Sequence, residues 1–240
     1  QVKNLTKKYK NSLAVNKINF NIEQNKTVGL LGPNGCGKTT SIGMMLGLIT
    51  PSEGEIIIDN KNLEKTDRVS LLSKMNFASP YVELPKKLTV KQNLEIYGRL
   101  YGVKNLEKKI DAISSELDIR NFLQKKTGEL SSGQKNRVTL AKSLINDPEI
   151  LFLDEPTASL DPDIGDYVRG YIESYKLKNK ITILLASHNM SEVERLCDSI
   201  IMMKNGKIID EGTCNEIIKK HGRTNLEETF LKLARSNDEI

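Results

Sequence analysis

The chain contains a glycine-rich segment whose residue types and spacing suit phosphate binding. It fits the pattern G-x-x-x-x-G-K-[ST] at every fixed position, over Gly32-Pro33-Asn34-Gly35-Cys36-Gly37-Lys38-Thr39. Glycines let backbone N–H groups turn inward onto phosphate oxygens, and the positive end of a following helix adds to the attraction. In this pattern Lys38 reaches the β- and γ-phosphates of a nucleotide, and the Thr39 hydroxyl coordinates Mg²⁺. The segment predicts a nucleotide site that runs from Gly32 to Thr40.

The elements on either side of this phosphate loop are those that the pattern requires. Residues 27–31 form a short apolar run that predicts a buried strand, and residues 40–46 predict the first turns of a helix. Strand, glycine loop and helix, in this order, are the context in which the pattern binds phosphate. This context disfavours the alternative, an ordinary glycine turn before a helix.

Two acids follow directly after a second apolar run. Residues 150–153 predict a buried strand, and Asp154 and Glu155 stand at its end. A carboxylate at the end of a buried strand is costly unless it binds a cation, so Asp154 is predicted to hold the Mg²⁺ that bridges the β- and γ-phosphates. Glu155 points in a different direction and could orient or deprotonate an attacking water. The alternative is a pair of surface acids before a turn.

Two further places carry polar residues suited to phosphate contact. His188 follows the apolar run 181–186, at the edge where parallel sheets bind ligands, and is predicted to contact the γ-phosphate rather than to be purely structural. Ser131, Gly133 and Gln134 stand at the start of a predicted helix, where small hydroxyl residues and glycine can make an anion site. Taken alone, this second pattern favours an ordinary helix N-cap.

The segments between these residues differ in periodicity. The first 60 residues predict short strands and turns. From about residue 82 to 146 apolar residues recur at helical spacing, which predicts an all-helical insert. The two stripes are Val90, Leu94, Tyr97, Tyr101 and Leu106, Ile110, Ile113, Leu117. Strands and helices then alternate again, with a hairpin around Asn205-Gly206 and a last helix from about Asn225, where Glu228 completes a capping box.

Composition limits the class of protein and its partners. The 240 residues are 38% hydrophobic, and a run of about 18 uncharged apolar residues is absent, so a membrane span is not expected. Three irregularly spaced cysteines suit a reducing compartment. Residues 82–126 hold ten basic and six acidic side chains, which indicates solvated helix faces or, alternatively, a surface near anionic lipid or nucleic acid. Without interleaved aromatic residues for base stacking, nucleic acid is not an expected partner.

The order of these motifs resembles the nucleotide-binding subunit of ATP-binding cassette (ABC) transporters. After the phosphate loop come Leu-Ser-x-Gly-Gln at 130–134, the strand with Asp154 and Glu155, Ser159-Leu160-Asp161, and His188. The resemblance covers nearly the whole chain. It implies an α/β P-loop NTPase fold with a RecA-like core, an antiparallel β subdomain and an inserted helical subdomain. It also implies an ABC ATPase domain over residues 1–220 and a C-terminal helical tail over 221–240.

The resemblance further implies ATP and Mg²⁺ as ligands and a head-to-tail dimer, either a homodimer or a pair with another ATPase subunit. ATP lies at the interface of such a dimer. The segment with Ser131, Gly133 and Gln134 then closes on the γ-phosphate held by the partner's loop, and Asp161 lies at the same interface. Tyr9 stands where the family has an aromatic residue that stacks on adenine; the alternative is an ordinary surface tyrosine.

The chain departs from the family pattern at two positions. Ser132 replaces the commoner glycine, which a helix start tolerates if its φ is negative. The loop that usually carries a glutamine contacting Mg²⁺ and the attacking water reads Asn76-Phe77-Ala78-Ser79-Pro80-Tyr81. Ser79 or Pro80 therefore occupies the glutamine position. Our hypothesis is that Ser79 or a water molecule substitutes for the glutamine.

Cys36 lies inside the phosphate loop, at a position that a small residue fills. A cysteine beside a helix N-terminus can have a lowered pKa. Reversible oxidation of Cys36 is therefore a second hypothesis.

The sequence predicts an enzyme, the ATP-binding and ATP-hydrolysing subunit of an ABC transporter. Residues 226–232 resemble the tail helix of single-domain export ATPases that work with ABC-2 type permeases. We therefore expect the chain to power export through a separate transmembrane permease subunit, as a peripheral protein on the cytoplasmic side of the cell membrane. The alternative is a soluble non-transport ABC ATPase acting in translation or on DNA, which the single cassette without a coiled-coil or zinc insertion disfavours.

Overall fold

The computed structural model describes residues 1–158 and 160–235. Its strands, in chain order, are β1 (Val2–Tyr9), β2 (Ser12–Phe20), β3 (Thr27–Leu31), β4 (Glu53–Ile58), β5 (Lys61–Asn62), β6 (Met75–Ala78), β7 (Ile150–Asp154), β8 (Thr182–Ala186), β9 (Ser199–Lys204) and β10 (Lys207–Gly212). Its helices are α1 (Lys38–Met45), α2 (Arg68–Leu72), α3 (Val90–Leu100), α4 (Leu106–Glu116), α5 (Ser132–Ser143), α6 (Pro162–Asn179), α7 (Met190–Leu196), α8 (Cys214–Lys220) and α9 (Leu226–Arg235). Single turns of 3₁₀ helix span Arg120–Phe122 and Thr127–Glu129.

The chain divides into two compact units, and the first comprises Gln1–Leu72 and the chain from Leu184 onward. Strands β2, β1, β4 and β5 form a sheet in that order. Its pairing is antiparallel, as expected of the β subdomain. A second sheet has the strand order β10-β9-β3-β8, in which β3 runs parallel to β9. Every residue of β3 is buried, because a parallel strand is covered on both faces.

The hairpin predicted at Asn205-Gly206 joins β9 to β10. Both turn residues have positive φ, 46° at Asn205 and 76° at Gly206. Two-residue hairpin loops favour such conformations because their twist matches that of the paired strands, and Asn-Gly adopts them at little cost. The hairpin prediction is confirmed.

Helix α9 packs into the core of the first unit rather than lying apart from it. Leu226 is fully buried in one cluster with Leu31, Ile200 and Ile217, and Phe230 packs against this cluster. The predicted helix start is confirmed, since the Glu228 amide donates to Asn225 Oδ1 over 2.8 Å. The predicted capping box is wrong in its second half. The Glu228 carboxylate accepts from the amide and hydroxyl of Thr224 instead of closing back on Asn225. Residues 236–240 of the predicted tail lie outside the described residues.

The second unit comprises Ser73–Ile183. It contains the parallel pair β6 and β7 together with α3, α4, α5 and α6. The first predicted helical stripe lies on α3, which begins with a capping box between Thr89 and Gln92. The second lies on α4, where Ile110 and Ile113 are buried. The second unit, residues 73–183, extends at both ends beyond the helical insert predicted at about residues 82–146.

Among the residues that the structure describes, no helix combines the length and the apolar character needed to cross a bilayer.

Candidate functional site

The phosphate loop joins β3 to α1 in the first unit, and two of its glycines are required by close backbone contacts. A Cβ at Gly32 would lie 2.4 Å from the Met203 carbonyl oxygen of β9. A Cβ at Gly37, whose φ is +109°, would lie 2.5 Å from the Ala14 carbonyl oxygen of β2. Both distances are shorter than side chains tolerate, so neighbouring strands hold the loop in a shape that only glycine permits.

Hydrogen bonds attach the same loop to the β9–β10 hairpin. The Gly206 amide donates to the Cys36 carbonyl over 3.0 Å, and the Asn16 amide donates to the Gly206 carbonyl over 2.8 Å. The loop, β2 and the hairpin turn therefore support one another. Sequence reasoning identified Gly206 only as a turn residue. Its hydrogen bond to Cys36 joins residues 170 positions apart (206 − 36), and such a contact leaves no local signal in the sequence.

Lys38 is the first residue of α1, and its side chain folds back into the loop. Its ammonium group donates to the Gly32 carbonyl over 2.6 Å and to the Pro33 carbonyl over 3.2 Å. The residue is only 8% exposed. Thr39 is exposed in the first turn of α1, and Thr40 is half-buried beside it. The structure therefore brings the cation and the two hydroxyl residues together at one helix start, as the pattern requires.

Cys36 is buried in the loop and acts as a small filler. Burial raises the pKa of its thiol, and the nearby Lys38 ammonium only partly offsets this effect. A reactive cysteine needs a lowered pKa and an accessible sulfur, so the expected lowering of the Cys36 pKa is wrong and the structure gives no support to its oxidation.

Tyr9 and His188 belong to the same unit. Tyr9 ends β1 and is 44% exposed, and Lys7 Nζ lies 5.1 Å from its ring centroid. His188 is exposed and lies two residues after the end of β8. The turn that carries it is held by buried Ser187, whose hydroxyl donates to the Glu192 carboxylate and accepts from the Asn189 amide at 3.1 Å. Both predicted residues are thus exposed.

Asp154 and Glu155 lie at the end of β7 in the second unit. Parallel pairing puts Ala78 of β6 opposite Leu153 of β7, so the residues that follow, Ser79 and Asp154, are neighbours. The Ser79 hydroxyl donates to Asp154 Oδ2 over 3.2 Å. Sequence reasoning connected Ser79 with the missing glutamine but did not anticipate this contact, because it depends on the strand register.

Glu155 adopts a backbone conformation that is uncommon for a residue with a side chain. Its φ is +51°, in the left-handed region, and its carbonyl accepts the Ala158 amide over 3.0 Å. Such conformations cost about 1–3 kcal/mol and occur preferentially at functional sites.

The segment with Ser131, Gly133 and Gln134 opens α5. The Gln134 amide donates to the Ser131 hydroxyl over 3.3 Å, and the Ser131 amide donates to the Gln134 side-chain oxygen over 3.2 Å. This reciprocal capping box confirms the N-cap interpretation. Ser132 is the first helical residue and keeps a negative φ, as the replacement of glycine requires.

Asp161 is exposed at the N-terminus of α6, before Pro162. Ser159, of the Ser159-Leu160-Asp161 motif, lies outside the described residues.

Comparison with known proteins decides the family. The family model described as "ABC transporter" matches residues 15–158. The chain is 36% identical over 230 residues to the ABC transporter ATP-binding protein NatA of Bacillus subtilis, covering 92% of this chain and 91% of that protein. It is 35% identical over 219 residues to the Nod factor export ATP-binding protein I of Burkholderia lata, covering 90% and 71% respectively. The chain belongs to the ABC transporter family.

Solved structures agree with this assignment. An ATP-binding subunit of an ABC transporter superposes with a TM-score of 0.89 at 26% identity, covering 98% of both chains. A dimeric ATP-binding cassette in a post-hydrolysis state, bound to ADP and phosphate, superposes with a TM-score of 0.82 at 28% identity, covering 88% of this chain and 97% of that one. The predicted P-loop NTPase fold is confirmed, and the chain is an ATP-binding and ATP-hydrolysing protein of the ABC transporter family.

Sequence reasoning missed one buried cation in this ABC protein. Lys142 of α5 is 8% exposed, and its ammonium group donates to the Phe77 carbonyl of β6 over 2.7 Å and to Asn76 Oδ1 over 3.3 Å. It also lies 5.4 Å from the centroid of the Tyr97 ring of α3. Burial lowers the pKa of Lys142 to about 8. Helix α5, which Ser131 caps, is therefore attached to β6, the strand that precedes Ser79.

Lys142→Met is expected to change how stability depends on pH. The pKa of Lys142 is about 8 when folded and 10.5 ordinarily, so between these values the unfolded chain binds the extra proton. The free energy of unfolding of the wild type should therefore rise relative to Lys142→Met as the pH increases from 8 to 10.5, by about 3 kcal/mol in total.

Urea unfolding of both proteins across this range measures the difference. Lys108→Met, at an exposed position on α4, is the matched control and should show no such pH-dependent difference. A constant difference between wild type and Lys142→Met across the range would contradict the lowered pKa.

Proposed function

We propose that this chain is the ATPase subunit of an ABC exporter and that it drives export through a separate membrane subunit. The observation that carries the proposal is the 35–36% identity, over about nine-tenths of the chain, to NatA and to Nod factor export ATP-binding proteins. In this arrangement the chain is a peripheral protein on the cytoplasmic side of the membrane, and its substrate is recognised by the membrane subunit.

ATP is proposed to bind with its phosphates in the loop from Gly32 to Thr40 and its adenine against Tyr9. The glycine backbone, the helix start and the Lys38 ammonium supply donors and positive charge for the phosphates. The exposed Tyr9 ring offers a stacking surface.

Mg²⁺ is the proposed metal, with Thr39 and Asp154 as its protein ligands. One hydroxyl and one carboxylate fit this ion, because Mg²⁺ prefers oxygen ligands and takes one or two from protein beside phosphates and water. Asp154 is half-buried at a strand end, where its charge calls for a cation. When bound, the ion neutralises charge on the β- and γ-phosphates.

Hydrolysis is proposed to use Glu155 and His188. Glu155 orients the attacking water and accepts its proton, which a carboxylate can do and an amide cannot. His188 contacts the γ-phosphate through its exposed ring.

Two cassettes are proposed to close on two ATP molecules. The helix start at Ser131, with Gly133 and Gln134, approaches the γ-phosphate bound by the partner, and Asp161 lies at the same interface. A Cβ at Gly133 would meet only Leu160, at 3.5 Å, among the described residues, so this helix start is open to approach. The γ-phosphates hold the two cassettes closed, and the cassettes reopen when phosphate is released after hydrolysis. This two-state switch can pull on a membrane subunit.

Capture from native membranes tests this proposal. Tagged Glu155→Gln is trapped with Mg-ATP and isolated, and the proteins that co-purify are identified. The double variant Lys38→Met/Glu155→Gln is the control, since it should not be trapped by ATP. A multi-span membrane protein retained only by the single variant would support the transporter. Ribosomes or DNA-repair proteins without a membrane subunit would instead support the non-transport ABC ATPase.

A further inference from the structure

Ser79 is a buried residue whose single hydroxyl hydrogen has an assigned acceptor. It is 3% exposed, accepts the Tyr81 amide over 3.3 Å and donates to Asp154 Oδ2 over 3.2 Å. A serine hydroxyl carries a single hydrogen, and an ionised carboxylate can only accept, so the donor in the second contact is Ser79. That hydrogen is therefore committed to Asp154.

The surroundings hold Ser79 in this position. Its carbonyl accepts the Val82 amide over 3.2 Å, which closes a turn directly after β6. Strand β6 is in turn bound by the Lys142 ammonium at Asn76 and Phe77. Because both the strand and the turn are anchored, the hydroxyl presents a fixed donor to the carboxylate.

We propose that Ser79 is a positioning residue that holds the Asp154 carboxylate in one orientation for the metal. The inference rests on the proposed function, in which Asp154 is a Mg²⁺ ligand. Carboxylates that bind metals are themselves commonly oriented by hydrogen bonds, and losing such a partner typically costs about 10–100-fold in metal affinity or activity. The serine thus compensates for the absent glutamine by acting on the carboxylate and not on the metal.

The test measures metal-dependent nucleotide binding in a hydrolysis-deficient background. Glu155→Gln is the parent, and Ser79→Ala, Ser79→Cys and Ser79→Thr are added to it. Cysteine keeps the shape but is a weak donor, and threonine keeps the hydroxyl. Ser143→Ala is the matched control, because Ser143 is also a buried serine of this unit and its hydroxyl donates to the Leu140 carbonyl over 2.8 Å. The Kd for a fluorescent ATP analogue is measured in EDTA and then at increasing Mg²⁺.

In EDTA all variants should bind the analogue with similar Kd, since Ser79 acts only through Asp154. With Mg²⁺, Ser79→Ala and Ser79→Cys should need about 10–100-fold more metal to reach the high-affinity state, while Ser79→Thr and Ser143→Ala should behave like the parent. If Ser79→Ala does not fold, Ser79→Cys carries the test.

Three results would overturn the inference. The first is an unchanged Mg²⁺ requirement in a folded Ser79→Ala or Ser79→Cys variant. The second is a loss of ATP-analogue affinity in these variants that is equal with and without metal, and the third is a Ser79→Thr variant as impaired as Ser79→Ala. A parent that binds no ATP analogue in either condition would instead contradict the proposed function, so the two failures are distinguishable.

Discussion

Glu155→Gln is expected to bind ATP with near-normal affinity and to hydrolyse it about 10²–10⁴-fold more slowly. Glutamine keeps the size of the side chain and the polar oxygen but cannot accept a proton from water. The substitution therefore removes the base while it preserves the turn in which residue 155 has a φ of +51°. Steady-state phosphate release and equilibrium binding of a fluorescent ATP analogue measure the two quantities.

The control for this variant is Glu149→Gln, just before the start of β7, where the carboxylate is exposed and pairs with Lys74 at 3.0 Å. Its turnover should equal that of the wild type. A Glu155→Gln enzyme with near-normal turnover would contradict the role of Glu155 as the essential base.

Lys38→Met is expected to weaken ATP binding by about 10–10²-fold. The substitution removes the cation that faces the phosphates, and a charge-assisted hydrogen bond of this kind contributes about 1.5–3 kcal/mol. It also removes the two bonds, to the Gly32 and Pro33 carbonyls, that hold the loop around the side chain. Titration with the same ATP analogue measures the affinity.

Lys61→Met is the matched control, because Lys61 is an exposed lysine of the same unit. Its affinity for ATP should be unchanged, and thermal unfolding establishes that both variants are folded. Unaltered binding by a folded Lys38→Met protein would exclude Lys38 as a phosphate ligand.

Local patterns predicted most of the elements that carry the candidate site. The strand–loop–helix order around residues 32–39 and the helical spacing that becomes α3 and α4 are confirmed. The Asn205-Gly206 hairpin is confirmed as well. These features are determined within a few residues, by hydrophobic periodicity and by the φ preferences of glycine and asparagine, so a sequence displays them directly.

The predictions that failed depended on burial or on a choice among nearby partners. The helix N-terminus beside Cys36 suggested a low pKa for its thiol. In the structure the thiol is buried, and burial raises its pKa instead. The capping pattern placed the Glu228 carboxylate on the backbone amide of Asn225, whereas in the structure it accepts from the amide and hydroxyl of Thr224. Residue spacing alone predicts neither outcome. The first depends on how deeply the tertiary structure buries the thiol, and the second on which nearby donor the carboxylate binds.

The sequence by itself determined the family, the ATPase chemistry and the identity of most candidate residues, because the motif residues are recognisable by type and spacing. Only the tertiary structure decided which residues support them. The register of β6 against β7 brings Ser79 to Asp154. The approach of β2 and β9 requires glycine at positions 32 and 37. Burial of Lys142 between α5, β6 and α3 lowers its pKa. These contacts join residues distant in sequence, and long-range packing leaves no local signature.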